Sequence, residues 1–198
     1  GARWADTPRA LAAACDSVFT CLPSPAAVRV VVGGATGVFA GLARGGTWID
    51  MSTNDAEEIR QLAEEGAERG IATLEAPVTG GVHRAAAGEI TVLVGGEAEL
   101  FERHRPAFAA MGGTILHMGP LGAAALIKVI TNMLAFINLV GVGEALMLAR
   151  RGGLDLARAF EAIRASSGNS FVHETESQVI LNGSYDIGFT MDLACKDL

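Results

Sequence analysis

Short apolar segments alternate with longer segments of mixed polarity over residues 1–118 of the chain. Each apolar segment is bounded by Gly, Pro or polar residues, which is typical of strands. The pattern predicts strands at residues 16–22, 47–50, 71–75, 90–94 and 114–117. Helices are predicted at residues 26–32, 56–69 and 97–111, and an earlier helix starts at Asp6-Thr7-Pro8 and runs through Leu11 to Ala14. Because strands and helices alternate at short spacing, we expect an α/β fold built on a parallel sheet.

The pattern changes after Gly119, where the remaining segments are all typical of helices. They cover residues 123–150, 154–165 and 171–181. The glycines at 119 and 122 interrupt the chain between the two patterns, so we place a domain boundary there. The predicted domains are residues 1–118, which are α/β, and residues 119–198, which are all-helical and begin with a long helix.

One lysine stands out in the long predicted helix. Between Met118 and Gly143 the only charged side chain is Lys128, and Asn132 lies one turn further along on the same helix face. An ammonium group among apolar neighbours is costly unless it is paired. Lys128 is therefore either a functional group or a lysine whose stem covers apolar surface while its charge reaches water.

The same helix is long enough to cross a bilayer, since residues 129–149 are almost wholly apolar. Asn132, Asn138 and Glu144 interrupt this segment, and no second apolar span follows. A helix that is apolar nearly all round also suits a large protein core or a subunit interface. We therefore prefer a core or interface helix, and we expect no membrane partner.

Composition excludes several function classes. The formal net charge is −7 and no basic cluster occurs, so we expect no nucleic-acid partner. The 3 cysteines lack CxxC spacing and the 4 histidines are scattered, so we expect no metal site. Cysteines in this pattern favour a reducing compartment, and the first residues lack the pattern of a signal peptide. These features predict a cytoplasmic protein.

Three loops follow predicted strands and are candidates for ligand binding, because ligands of open α/β sheets bind beyond the carboxyl ends of the strands. They are Leu22-Pro23-Ser24, Met51-Ser52-Thr53 and residues 76–81. The third contains Thr79, Gly80 and Gly81, whose backbone N–H groups are accessible to a ligand and suit a carboxylate. The alternative is an ordinary turn, since Gly-Gly pairs are common in turns.

Three motifs in this order resemble the β-hydroxyacid dehydrogenase family. They are Glu75-Ala-Pro-Val-Thr-Gly-Gly81, the glycines and lysine of residues 119–132, and Lys196-Asp197-Leu198. The segments Cys21-Leu22-Pro23 and residues 49–53 also match, so the resemblance extends over essentially the whole chain. It implies a Rossmann domain followed by an all-α domain, joined by a long helix that also builds a dimer or tetramer.

The resemblance also implies an NAD- or NADP-dependent oxidoreductase that acts on a small hydroxy acid. Lys128 would be the catalytic proton donor and acceptor, with Asn132 as its companion. The other implied contacts are Thr79, Gly80 and Gly81 with the substrate carboxylate, and Leu22, Pro23, Thr53 and Lys196 with the cofactor.

The chain departs from the family pattern at both ends. It lacks the glycine-rich G-x-G-x-x-G loop, begins near the third Rossmann strand and stops before the family's last helices. The residue that selects NAD or NADP follows the second Rossmann strand, so both cofactors stay open. Within the chain, Glu75 replaces the usual Asp.

Two alternatives remain. A 6-phosphogluconate dehydrogenase-like enzyme would have His beside the motif Asn, whereas Thr131 and Met133 flank Asn132 here. A catalytically silent, dimerising relative would explain the missing glycine loop, although the retained Lys128 argues against it.

Overall fold

The structure, a computed structural model, describes residues 2–186 and 188–198. Its backbone forms two compact units, Gly1–Val129 and Ile130–Leu198. The strands are β1 (Ser17–Thr20), β2 (Thr47–Asp50), β3 (Ala72–Glu75), β4 (Val78–Thr79), β5 (Ile90–Gly95) and β6 (Gly112–Gly119). The helices are α1 (Pro8–Ala12), α2 (Pro25–Gly33), α3 (Ala56–Glu68), α4 (Gly81–Ala86), α5 (Ala98–Ala109), α6 (Ala123–Arg151), α7 (Leu156–Arg164), α8 (Phe171–Leu181) and α9 (Met191–Lys196).

The first unit is built on one sheet with the strand order β1-β2-β3-β5-β4, and β6 pairs with β5. Strands β1, β2 and β3 are mutually parallel neighbours, and β5 and β6 are also parallel. The parallel register places Thr20 beside Asp50 and Asp50 beside Glu75, so three polar side chains end neighbouring strands. The predicted α/β fold followed by helices is thereby confirmed.

The sheet is mainly parallel as predicted, but it departs from that direction at β5, which runs antiparallel to both β3 and β4. The segment between β4 and β5 contains only the six-residue helix α4. A parallel connection needs a crossover of about a dozen residues or more, so this shorter segment returns the chain in the opposite direction. Hydrophobic periodicity carries no information about strand direction.

Helices cover both faces of the sheet, so β2 is buried along its whole length. On one face Trp48 packs with residues of α1, α2 and α3, including Leu62. On the other face Ile49 packs with β3, β5 and α5, including Phe108. Alternate side chains of a strand point to opposite faces, which is why consecutive residues enter different clusters. Complete burial of a side chain such as Leu62 stabilises the fold by about 1.5–3 kcal/mol.

The predicted elements occur with small differences at their ends, but three short elements were not predicted. Strand β4 has two residues, α4 is exposed throughout, and α9 has six residues. Elements this short lack enough turns or alternations for a periodic pattern to develop.

Helix α6 has 29 residues and is the longest element. Among the described residues it is the one helix long and apolar enough to cross a membrane, a test that core helices of soluble proteins also pass. Several of its large apolar side chains are exposed in this single chain. They are Leu134, Ile137, Val140, Met147 and Leu148.

Candidate active site

A buried carboxylate, Asp50, lies where β1 and β2 end. Its Oδ1 accepts hydrogen bonds from Thr20 Oγ1 at 2.9 Å, from Ser52 Oγ at 2.6 Å and from Ser52 N at 3.3 Å. Its Oδ2 accepts one from Asn54 Nδ2 at 3.0 Å. Burial raises the pKa of Asp50, and the hydrogen bonds from Ser52, Asn54 and Thr20 offset part of this rise.

The direction of these hydrogen bonds is set by two groups that can only donate. Trp48 Nε1 donates to Thr20 Oγ1, and Leu22 N donates to Ser52 Oγ, both at 2.9 Å. Each hydroxyl thereby accepts one bond and directs its own proton to Asp50. Asp50 thus faces four donors, an arrangement that suits the ionised carboxylate.

This arrangement brings together two of the predicted cofactor loops. Leu22 is half-buried, and its N–H donates a hydrogen bond to Ser52, in the loop that follows β2. Pro23 beside it is exposed, and Thr53 is half-buried between Ser52 and Asn54. The loops therefore present accessible, mainly apolar groups beyond the carboxyl ends of two parallel strands. That environment fits the nicotinamide end of the cofactor, which lacks the negative charges of the pyrophosphate, and cofactors bind at such strand ends.

The predicted substrate loop follows β4. Thr79 pairs with Thr91 of β5, which fixes the start of the loop. Gly80 and Gly81 have φ values of 123° and 79°, in the left-handed region that favours glycine. The loop is accessible, since residues 81–89 are all exposed.

A second buried carboxylate, Glu75 at the end of β3, contacts the start of α6. Its Oε1 accepts hydrogen bonds from Gly122 N at 2.6 Å and Ala124 N at 2.9 Å, and its Oε2 accepts one from Ala125 N at 3.0 Å. The first amides of a helix have no partner within the helix, and a negative charge there also interacts favourably with the helix dipole. Glu75 therefore fixes the position of the first turn of α6 relative to β3.

The surroundings of Glu75 are shaped to hold it. A methyl group on Gly95 would overlap the carboxylate, so glycine at this position leaves the necessary space. Burial raises the pKa of Glu75, and the three amide hydrogen bonds together with the charge of Arg60 offset part of the rise. This role was not predicted, because the sequence singled out Glu75 only as a departure from the family motif.

Lys128 lies in the second turn of α6, directly after the turn that Glu75 holds. Its side chain is 9% exposed, as is that of Asn132 one turn later. A lysine whose charge extends into water would show far more exposure, so the burial of Lys128 favours a functional group over a solvated one.

In the second unit, Asp197 joins two further predicted residues. Asn132 Nδ2 donates a hydrogen bond to Asp197 Oδ2 at 2.7 Å, and Lys196 Nζ lies 2.5 Å from Asp197 Oδ1 in an ion pair. Asp197 is 6% exposed. Its presence in the Lys-Asp-Leu motif was the available sequence signal for this role, although only Lys196 was assigned from it. Within residues 2–186 and 188–198, no group of three or more His, Cys, Asp or Glu side chains could hold a metal ion.

Comparison with known proteins identifies the family. A model of the NAD-binding domain of 6-phosphogluconate dehydrogenase matches residues 1–119. A model of the NAD-binding region of NADP-dependent 3-hydroxyisobutyrate dehydrogenase matches residues 122–198. The chain is 36% identical over 199 residues to 2-(hydroxymethyl)glutarate dehydrogenase of Eubacterium barkeri, covering 100% of the chain and 66% of that relative.

Two solved structures agree with these matches. The 3-hydroxyisobutyrate dehydrogenase of Mycobacterium tuberculosis, with L-serine, has a TM-score of 0.84 and 32% identity, covering 94% of this chain and 65% of that one. Psf3, in complex with NADP+ and 2-OPP, has a TM-score of 0.90 and 29% identity, covering 100% of this chain and 70% of that one.

Together the fold, the two family models and these relatives define an NAD(P)-binding oxidoreductase. The chain belongs to the β-hydroxyacid dehydrogenase family, as its motifs predicted. It spans about two thirds of the length of the curated relatives that it matches.

Proposed function

We propose that the protein carrying this chain is an NAD(P)-dependent dehydrogenase that interconverts a small β-hydroxy acid and its semialdehyde or keto form. The observation that carries the proposal is the burial of Lys128, which lies directly after the first turn of α6 that Glu75 holds. The relatives support the substrate class, since their names are those of 3-hydroxyisobutyrate and 2-(hydroxymethyl)glutarate dehydrogenases.

In this proposal the backbone N–H groups of Thr79, Gly80 and Gly81 bind the substrate carboxylate. Lys128 donates a hydrogen bond to the substrate oxygen and stabilises the negative charge that develops on it, then returns the proton in the reverse direction. Asn132 orients this group or the same oxygen.

NAD or NADP supplies the acceptor or donor of hydride when it is bound. Leu22, Pro23 and Thr53 would line its nicotinamide side. Lys196 would contact the cofactor from the helical part of the chain.

Three further features belong to the proposal. We propose that residues 1–118 form part of a Rossmann domain. Residues 119–198 form the helical domain for substrate binding and dimerisation. The exposed apolar side chains of α6 support a homodimer or homotetramer, since such a surface is costly in water. The cysteine pattern supports a cytoplasmic protein.

A 6-phosphogluconate dehydrogenase-like activity is the second candidate, favoured by the description of the model that matches residues 1–119. The residues beside Asn132 favour the hydroxy acid dehydrogenase instead, because Thr131 and Met133 stand where a decarboxylating relative would have His. A catalytically silent relative would not need to keep Lys128 in a buried position.

The proposal is tested by replacing Lys128 with Ala in the complete protein. We expect kcat to fall at least ~10²-fold, the usual scale for an acid–base group, with little change in cofactor affinity. Arg150→Ala is the matched control, because Arg150 is an exposed basic residue on the same helix. A folded Lys128→Ala variant with near-normal turnover on a panel of hydroxy acids contradicts the catalytic role.

A further inference from the structure

The Asp50 network holds both loops that the proposed function assigns to the nicotinamide end of the cofactor. We propose that Asp50 is a positioning residue for this end of the site: it fixes Leu22 and Thr53 relative to each other, and its negative charge favours the oxidised, positively charged nicotinamide over the reduced, neutral one. The inference rests on the proposed cofactor-binding function.

The tether to the first loop runs through a single hydroxyl. Ser52 Oγ accepts a hydrogen bond from Leu22 N at 2.9 Å and donates one to Asp50 Oδ1 at 2.6 Å. The amide of Leu22 is thus connected to the end of β2 through two bonds. Any shift of Ser52 away from Asp50 moves the residue that lines the proposed nicotinamide site.

The second loop is held on both sides of Thr53. Ser52 and Asn54 both donate to Asp50, one to each carboxylate oxygen. Asn54 Oδ1 also accepts a hydrogen bond from Asp55 N at 2.9 Å, and Asp55 caps the first turn of α3. The backbone of Thr53 is therefore anchored between the end of β2 and the start of α3.

The carboxylate itself is rigidly placed. Thr20, in the neighbouring strand, donates to it and is oriented in turn by the buried Trp48. Asp50 and Trp48 are both 0% exposed, so neither has room to take another position. A preorganised group of this kind keeps its geometry when the cofactor binds or changes its oxidation state.

The charge of Asp50 acts on its surroundings because every group that donates to it is neutral. The effect extends to the first loop: the pKa of the Cys21 thiol, next to Leu22, is raised by burial and by the charge of Asp50. A buried charge is poorly screened by salt. The oxidised nicotinamide carries a positive charge and the reduced form does not, so a fixed negative charge stabilises the oxidised form selectively.

The test measures dissociation constants of oxidised and reduced cofactor for the complete protein by calorimetric titration. Asp50→Asn keeps the size of the side chain and removes the charge, whereas Ser52→Ala keeps the charge and removes the tether. Thr73→Val is the matched control, because it removes a buried hydroxyl from the same sheet, and that hydroxyl makes no hydrogen bond among the described residues.

We expect Ser52→Ala to weaken binding of both forms equally, by about threefold to tenfold, because it removes both hydrogen bonds of the tether and part of that loss is felt in cofactor binding. Asp50→Asn should in addition weaken the oxidised form by at least about threefold more than the reduced form. Thr73→Val should change neither constant.

An unchanged affinity in folded Ser52→Ala, or an unchanged ratio of the two constants in folded Asp50→Asn, overturns the inference while the proposed function stands. If Asp50→Asn does not fold, the comparison of Ser52→Ala with Thr73→Val decides. Failure of the unaltered protein to bind either form contradicts the proposed function instead.

Discussion

The contact between Glu75 and α6 makes a strong prediction, because one side chain satisfies three amides at the start of the helix that carries Lys128. Glu75→Ala removes all three acceptors at once. The side chain is 1% exposed, so the amides that it leaves have little direct access to water. The variant should therefore lower both the stability of the first unit and the rate of the reaction.

The magnitude follows from the three contacts. A buried donor left without a partner costs about 1–3 kcal/mol, so three amides set an upper range of several kcal/mol. Removing the carboxylate also removes its own cost of burial, and water entering the space of the lost side chain would restore part of the bonding. We expect a net loss of about 3 kcal/mol in the free energy of unfolding, a large part of the stability of a typical domain.

The assay is urea unfolding followed by the fluorescence of Trp48, which is buried in the first unit, together with kcat. Gly95→Ala should act in the same direction with the charge retained, because the added methyl group displaces the Glu75 carboxylate. Glu102→Ala is the control, since its carboxylate is exposed and forms an ion pair with Arg105 on the surface of α5, and such pairs contribute about 0–1 kcal/mol.

A Glu75→Ala variant with wild-type stability and turnover would refute the reasoning, because the amides of α6 would then have equivalent partners elsewhere. Loss of turnover with unchanged stability would refute the predicted loss in the free energy of unfolding. Glu75 would then act only by placing Lys128.

Three more predictions concern pH, assembly and cofactor binding. Because the pKa of Asp50 is raised in the folded state, its contribution to the free energy of unfolding is greatest below the unfolded pKa of about 3.9 and falls as pH rises through the folded value. Urea titrations across this acidic window should therefore show Asp50→Asn gaining stability relative to wild type as pH rises. Light scattering on the complete protein should show a dimer or tetramer, and a monomer at micromolar concentration would contradict the interface proposed for α6. Residues 1–198 made alone should bind NADH very weakly, because they lack the glycine loop that holds the pyrophosphate; saturable binding at low micromolar NADH in a fluorescence titration would show that another anionic anchor exists.

The sequence predicted the elements that repeat a clear pattern and missed the contacts between them. The strand ends and the position of Lys128 followed from periodicity and motif spacing, since both are local properties. Glu75 contacts residues at the start of α6 that are 47 or more positions away in the sequence. Asp50 and Thr20 are 30 positions apart. Such partners depend on strand order and register, which a single sequence does not specify.

The direction of β5 is a second example. Its apolar residues predicted a strand correctly, but an apolar segment has the same pattern in both directions. The length of the preceding connection was the one available signal, and the short helix within it was itself too small to predict.

The conformation of Gly80 and Gly81 has a consequence for how this enzyme family could be redesigned. Both residues have left-handed backbones, so any side chain introduced there costs about 1–2 kcal/mol whatever its chemistry. The glycine pair is therefore poorly suited to mutation. In the proposed function its backbone binds the substrate carboxylate, a group that all substrates of the class share. The following residue, Val82, is 63% exposed and bears no such restriction. Libraries that aim to change substrate preference should leave the glycine pair intact and vary positions such as Val82, where a new side chain changes the exposed surface of the loop without altering the backbone.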